Sequence, residues 1–282
     1  MQVIESRRAT NTRRAYTEDL KKWALFCSQR GFDMGEPTLP ASILFRDELK
    51  EHGYSDASIH RILACLSLIY RAFMANGLVQ RNPFDSIILP RPELSRAGKT
   101  EAIDDAVVAK LLRVVSKDKR RRGRRDYAII RLLYDTGMRR MSVASLLRSD
   151  LKYPRAWITV KGGHKEPVVF IPETISALKD WLRVAPHSPY VFPSKQDKES
   201  PIELTVVNQA LTRRCKEAKI EHLHPHQFRA TFITAAYDSG TYERDIQRSV
   251  HHVNAETTRL YDRGQRGDNV TEAVAKRRRG NA

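Results

Sequence analysis

The chain has 282 residues, enough for two domains of the usual ~100–200 residues, and its hydrophobic fraction of 41% is ample for packed cores. Fifty lysines and arginines stand against 33 acidic residues, a formal net charge of +17; so large a charge repels itself on folding and answers a polyanion, nucleic acid first and an anionic membrane surface second. The opening MQVIESRRAT lacks the apolar stretch of a signal peptide, and the longest apolar-rich run, Ile62 to Tyr70, is far short of the ~18–20 residues that span a bilayer.

Residues 10–30 predict a helix. Thr10, Asn11 or Thr12 can cap it, Tyr16, Leu20, Trp23, Ala24 and Cys27 recur at helical spacing, and Gly31 ends it. A second helix is predicted over Pro40–His52, stopped by Gly53. Ser55-Asp56 starts a third, which carries Ile59, Ile62, Leu63, Leu66, Ile69, Tyr70 and Phe73 and closes at Asn76-Gly77, before a turn at Asn82-Pro83. Residues 1–90 therefore read as a small helical bundle. Leu89 to Lys99 holds Pro90, Arg91, Pro92, Arg96 and Gly98 without periodicity, so residues 91–101 read as an extended basic linker, laid along DNA or simply solvated.

Residues 102–282 form the second predicted domain. Asp104-Asp105 opens a helix containing Val107, Val108, Leu111, Leu112 and Val115. The basic run from Lys117 to Arg125 is either a solvated or disordered block or a phosphate contact. Tyr127–Tyr134 predicts an apolar helix ending at Gly137. Trp157–Val160 and Pro167–Ile171 are β-rich with Gly162-Gly163 between them, a hairpin signal. Helices resume over Glu173–Val184, Glu203–Lys219 and His226–Ser239. The expected fold is mainly α with a small β-sheet (α+β). Cys27, Cys65 and Cys215 lie far apart among apolar neighbours, with no zinc-like spacing, as in a soluble protein of a reducing cytoplasm.

Four separated segments make chemical sense together. In Thr136-Gly137-Met138-Arg139-Arg140 an arginine follows a glycine-terminated helix, so a turn can hold its guanidinium toward a cleft. The hairpin carries Lys161 before its glycines and Lys165 after them. In His224-Pro225-His226-Gln227-Phe228-Arg229, a helix opening at the proline puts His226 and Arg229 on one face. Last come His251-His252 and, further on, Thr257-Thr258-Arg259-Leu260-Tyr261. Each alone has an ordinary reading as a surface pair or a packing residue; all four in this order are far more specific.

In this order the chain resembles the tyrosine recombinase (phage integrase) family over nearly its whole length. TGMRRMSVASLLRSD, residues 136–150, is similar to that family's first-arginine motif and matches Arg139 to the catalytic arginine, with Arg140 the alternative. VKGGHKEPVVFIP matches Lys161, or failing it Lys165, to the lysine of the family's hairpin. His226 and Arg229 match its HxxR box. His252 matches the second histidine, nine residues before the nucleophile, which is Tyr261; His251 is the alternative. Ser142 stands where the family often has an acidic residue, and His251 where it usually has glycine. The resemblance implies a helical core-binding domain followed by a mixed catalytic domain. With recognisable core-binding sequence from near Thr10, it also implies the compact Xer-like or Cre-like type, without an added arm-binding domain.

The residue types suit the reaction that the resemblance implies. Attack on a phosphodiester builds negative charge on its non-bridging oxygens, and two guanidinium forks can clamp them. Tyr261 supplies an oxygen nucleophile whose ordinary pKa, about 10, calls for a base, and His226 is suited to that. Lys161 can protonate the departing 5′ oxygen, and His252 can donate to the phosphate. The 3′-phosphotyrosine conserves the ester energy, so neither cofactor nor metal is called for. The implied partner is double-stranded DNA with specific sites, bound by a homotetramer on two sites, with a partner recombinase or accessory protein as a further possibility. Residues 268–282 end in Lys276-Arg277-Arg278-Arg279 and either dock on a neighbouring subunit, as in the family, or stay solvated. The competing classes are a type IB topoisomerase-like enzyme and a non-catalytic DNA-binding protein.

Overall fold

Among the described residues, the N-terminal part holds three helices: α1 (Thr10–Arg30), α2 (Leu39–Glu51) and α3 (Asp56–Ala75). This computed structural model describes residues 10–93, 100–160, 163–251, 258, 259 and 261. By its contacts the chain divides into two units, Met1–Gly98 and Lys99–Ala282. The expected linker, residues 91–101, spans that division, and its residues 94–99 lie outside the described ones.

Helix starts in the first unit follow capping chemistry. Thr38 Oγ1 accepts from Ala41 N at 3.3 Å ahead of α2, and Ser55 Oγ accepts from Ser58 N at 3.3 Å ahead of α3. The core is aromatic: Trp23, Phe26, Phe45, Tyr70 and Phe84 pack with ring centroids about 5–6 Å apart. Trp23 Nε1 donates to Tyr70 Oη at 2.7 Å, which donates to Met34 O at 3.0 Å, so neither buried polar tip is orphaned. α3 is long and apolar enough to cross a membrane by length and composition. Its apolar positions Ile59, Ile62, Leu63, Leu66 and Tyr70 are at most 1% exposed inside this core, the burial of a central core helix.

The second unit runs α4 (Asp105–Ser116), α5 (Arg121–Thr136), the short α6 (Arg140–Ala144), a 3₁₀ turn (Arg148–Asp150), strands β1 (Leu151–Lys152), β2 (Arg155–Thr159) and β3 (Lys165–Val169), then α7 (Pro172–Leu182), α8 (Leu204–Glu217), α9 (Pro225–Asp238) and α10 (Glu243–Ser249). Val108, Leu111 and Val115 of α4, Ile129, Leu132 and Leu133 of α5, Val207 and Leu211 of α8 and Phe228 of α9 form one core. The sheet is antiparallel in the order β1-β2-β3, with Ala156 opposite Val168 and Thr159 opposite Lys165. Ala156 and Ile158 face the core while Trp157 faces out, the period-two pattern of a one-sided sheet.

Two expectations are corrected. The basic run from Lys117 to Arg125 is not a disordered block: its second half is the first turn and a half of α5. Arginine favours helices, and this stretch is tied down by Asp126. That fully buried carboxylate accepts from Arg125 at 2.9 Å, Arg213 at 2.7 Å and Arg214 at 2.9 Å, and Arg214 reaches on to Asp118 and Glu217. The strands begin two residues earlier than the β-rich runs suggest, because pairing rather than composition sets their ends.

Candidate active site

Three backbone devices converge on one place. The first is the end of α5. Thr136 Oγ1 bonds Leu132 O and accepts from Met138 N at 3.2 Å, and Gly137 takes the left-handed conformation, φ +60°. This caps α5 and turns the chain so that Arg139 becomes the N-cap residue of α6. A Cβ on Gly137 would lie 2.8 Å from the Phe232 ring, so both space and conformation demand glycine.

The second device is the start of α9. Gln227 Oε1 accepts from His224 N at 2.8 Å, and Pro225 occupies the first turn. His226 and Arg229 follow three residues apart. Arg229 is only 2% exposed. Its Nη1 donates to Gly137 O at 2.7 Å and its Nη2 to Val250 O, while Nε has no hydrogen-bond partner among the described residues.

The third device is the end of α10. His251 has a positive φ, +54°, and its carbonyl accepts from Arg139 Nη1 at 3.2 Å. The carbonyls of Val250 and His251 thus hold one arginine each. The His251 ring is half-buried, with Nε2 lacking a hydrogen-bond partner among the described residues. Tyr261 packs against Ile233, Tyr237, Ile246 and Val250, and its N–H donates to Thr258 O at 3.1 Å.

The electrostatics couple these groups. Burial, then the neighbouring Arg139, brings the Arg229 guanidinium down to about 9, against the pull of Tyr261. Burial also lowers Arg139. His226 is accessible on one side, yet desolvation on the other, then Arg229 and Arg139, holds it below its ordinary value. His251 is lowered by burial first, with Glu166 opposing and both arginines adding. Burial raises the Tyr261 phenol and Arg229 pulls it back. The result is a cationic cluster that disfavours further positive charge.

The alternative residues differ in their surroundings. Arg139 is the arginine of this cluster; Arg140 makes no hydrogen bond or ion pair among the described residues. Lys165 Nζ is paired to both carboxylate oxygens of Asp150, at 2.6 and 2.8 Å. Lys161 and His252 lie outside the described residues, as do residues 262–282. What sequence reasoning missed is the backbone: the carbonyls of Gly137, Val250 and His251 carry no sequence signal. Ser142, which stands where the family often has an acidic residue, donates its Oγ to Thr159 O at 2.8 Å and ties α6 to the hairpin two residues before Lys161.

A family model described as the phage integrase family matches residues 101–266, and one described as the phage integrase N-terminal SAM-like domain matches residues 2–77. The chain is similar to tyrosine recombinase XerA of Pyrococcus furiosus, 29% identical over 263 residues, 91% of this chain and 84% of that one. It is also similar to tyrosine recombinase XerC of Alcanivorax borkumensis, 30% identical over 224 residues, covering 76% and 71%. Among solved structures it resembles the XerH site-specific recombinase bound to difH substrate in a pre-cleavage complex, with a TM-score of 0.72, 19% identity and coverage of 93% and 78%. A lambda integrase dimer bound to a COC' core site matches with a TM-score of 0.71, 15% identity and coverage of 95% and 77%. At those identities the structural likeness speaks for the fold.

Proposed function

Because this chain belongs to the phage integrase family and is a tyrosine site-specific recombinase acting on double-stranded DNA, we propose that Tyr261 is its nucleophile and that Arg139, Lys161, His226, Arg229 and His252 complete the site. The observation that carries this reading is geometric: Arg229 bonds the carbonyls of Gly137 and Val250 and Arg139 that of His251, so the chain after α10 holds both guanidiniums next to the cluster of Ile246 and Val250 on which Tyr261 packs.

The Tyr261 oxygen attacks the scissile phosphorus as its proton passes to His226, which is neutral at pH 7 because its environment resists protonation. The bond from phosphorus to the 5′ oxygen breaks, and Lys161 supplies the proton to that oxygen. Arg139 and Arg229 hold the non-bridging oxygens through the donors their carbonyl partners leave free. His252 adds a hydrogen bond, with His251 the alternative donor. A 5′ hydroxyl from the second DNA then attacks the phosphotyrosine and the same proton transfers run backward. Burial raises the Tyr261 phenol and Arg229 pulls it back, so its deprotonation calls for the base.

The wider assembly is part of the same proposal. Residues 1–90 and the catalytic residues 102–282, joined by the basic stretch 91–101, both contact the duplex. Four protomers act on two sites in the cytoplasm, at the nucleoid, with any partner recombinase or accessory protein joining there. The test is covalent trapping on the DNA that flanks the native gene, followed by recombination between paired copies of the trapped sequence. Exchange between paired sites is the expected result. Relaxation of a site-free plasmid without exchange would replace this reading with topoisomerase activity.

A further inference from the structure

At the far end of α5 from Gly137 lies a cleft of about 360 Å³ between the start of α5, the end of α7, the 186–202 loop and the start of α8. α5 has 16 residues, so at 1.5 Å per residue the cleft sits roughly a helix length, ~24 Å, from the catalytic cluster. Its rim carries Arg121, Arg122, Arg125, Lys195 and Lys198, with Glu203 the one acidic side chain in the lining among the described residues.

The rim cations are not equivalent. Arg125 is paired with Asp126, and Lys198 Nζ donates to Ser194 O at 3.2 Å and Lys195 O at 2.9 Å, which fixes the loop. Glu203 is engaged too: its carboxylate accepts from Ser194 Oγ at 2.6 Å. Arg121 and Arg122 are exposed and make no hydrogen bond or ion pair among the described residues. They occupy the first turn of α5, which has no acidic residue and no side-chain cap. Arginines there add to the positive pole of the helix instead of offsetting it. Asp118 is taken up by Arg120 and Arg214; Arg122 also borders the neighbouring cavity that holds Asp118 and Glu217, while both Arg121 and Arg122 line the cleft. Beneath it the floor is rigid and apolar, with Trp181 3% and Ile202 4% exposed and Trp181 Nε1 bonded to Val191 O at 2.7 Å.

We propose that this cleft is a second phosphate site, separate from the one that holds the scissile phosphate, with Arg121 and Arg122 as its forks. Two unpaired guanidiniums over a fixed wall suit the oxygens of a phosphoryl group. The group can come from DNA running beyond the core site or from a free nucleotide or pyrophosphate.

The test uses the full chain and the double variant Arg121→Gln/Arg122→Gln. Lys117→Gln/Lys119→Gln is the control, since both lysines are exposed neighbours that do not line the cleft. Inorganic pyrophosphate is titrated calorimetrically, and binding to a short core duplex and to one extended on both sides is measured over a range of salt. Saturable one-to-one pyrophosphate binding that weakens at least tenfold in the cleft variant alone supports the site and a free phosphate as its ligand. A salt slope lower by ~1.8 on the extended duplex alone, ~0.9 per lost phosphate contact, supports the DNA backbone as its ligand. If the cleft variant and the control behave alike in both measurements, the site does not exist.

Discussion

Arg229 donates to the carbonyl of Gly137 at 2.7 Å, which joins the helix of the HxxR box to the turn that presents Arg139. The two arginines are therefore set by one piece of backbone. Gly137 serves three ends at once: it caps α5, accepts from Arg229 and places Arg139 two residues on. Gly137→Ala would force a side chain into the left-handed region and against Phe232. It should cost about 1–3 kcal/mol of stability, read as a lower urea midpoint at unchanged slope. An unchanged midpoint would show that the turn is not built as described.

Arg139→Lys and Arg229→Lys should each keep DNA affinity within a few-fold and slow cleavage on the order of 100–1000-fold. Lysine retains the charge and loses the planar fork, and at Arg229 it also cannot reach Gly137 and Val250 together while still facing a phosphate. Single-turnover cleavage beside a binding titration separates the two effects. Equal losses in both would mean that the arginines act only in binding.

Lys165 and Lys161 should part company. Because Lys165 is held by Asp150, Lys165→Ala should leave cleavage within a few-fold of wild type. Lys161→Ala should lose it, and a substrate with sulfur in place of the 5′ bridging oxygen should restore it, since a thiolate leaves without being protonated. Rescue of Lys165→Ala, and not of Lys161→Ala, would reverse the assignment.

The reach of the sequence follows from the kind of interaction involved. His226 and Arg229 were legible because helical spacing puts them on one face, and Tyr261 because of its distance from His252. Arg139 was legible through the glycine that turns the chain before it. The carbonyls that aim the arginines were not, since every residue has one and only the fold selects Gly137, Val250 and His251. α10 escaped notice because Glu243–Ser249 has one buried apolar residue, Ile246, too few to make a period. The start of α5 was ambiguous because only some of its charges are paired: Arg120 and Arg125 meet Asp118 and Asp126, which Arg213 and Arg214 join from some 90 residues away, while Arg121 and Arg122 stay exposed.

The pH behaviour has a definite sign. His226 and His251 are both lowered from 6.5, by burial first. The unfolded chain therefore binds more protons than the folded one as pH falls below 6.5, and stability present above that pH declines through the folded values. Cleavage should show its acid limb below pH 6.5, where His226 protonates. His226→Gln should be slow at every pH and lack that limb. An acid limb retained in His226→Gln would assign the base elsewhere.

The central claim is that Tyr261 makes the covalent bond to DNA. The most direct measurement is capture of the protein–DNA adduct on a nicked duplex bearing the native site, followed by mapping of the modified peptide, for wild type and Tyr261→Phe. The wild-type adduct should map to Tyr261, and Tyr261→Phe should bind the duplex with near wild-type affinity and form none. An adduct formed by Tyr261→Phe, mapped to Tyr237 or Tyr242, would contradict the assignment.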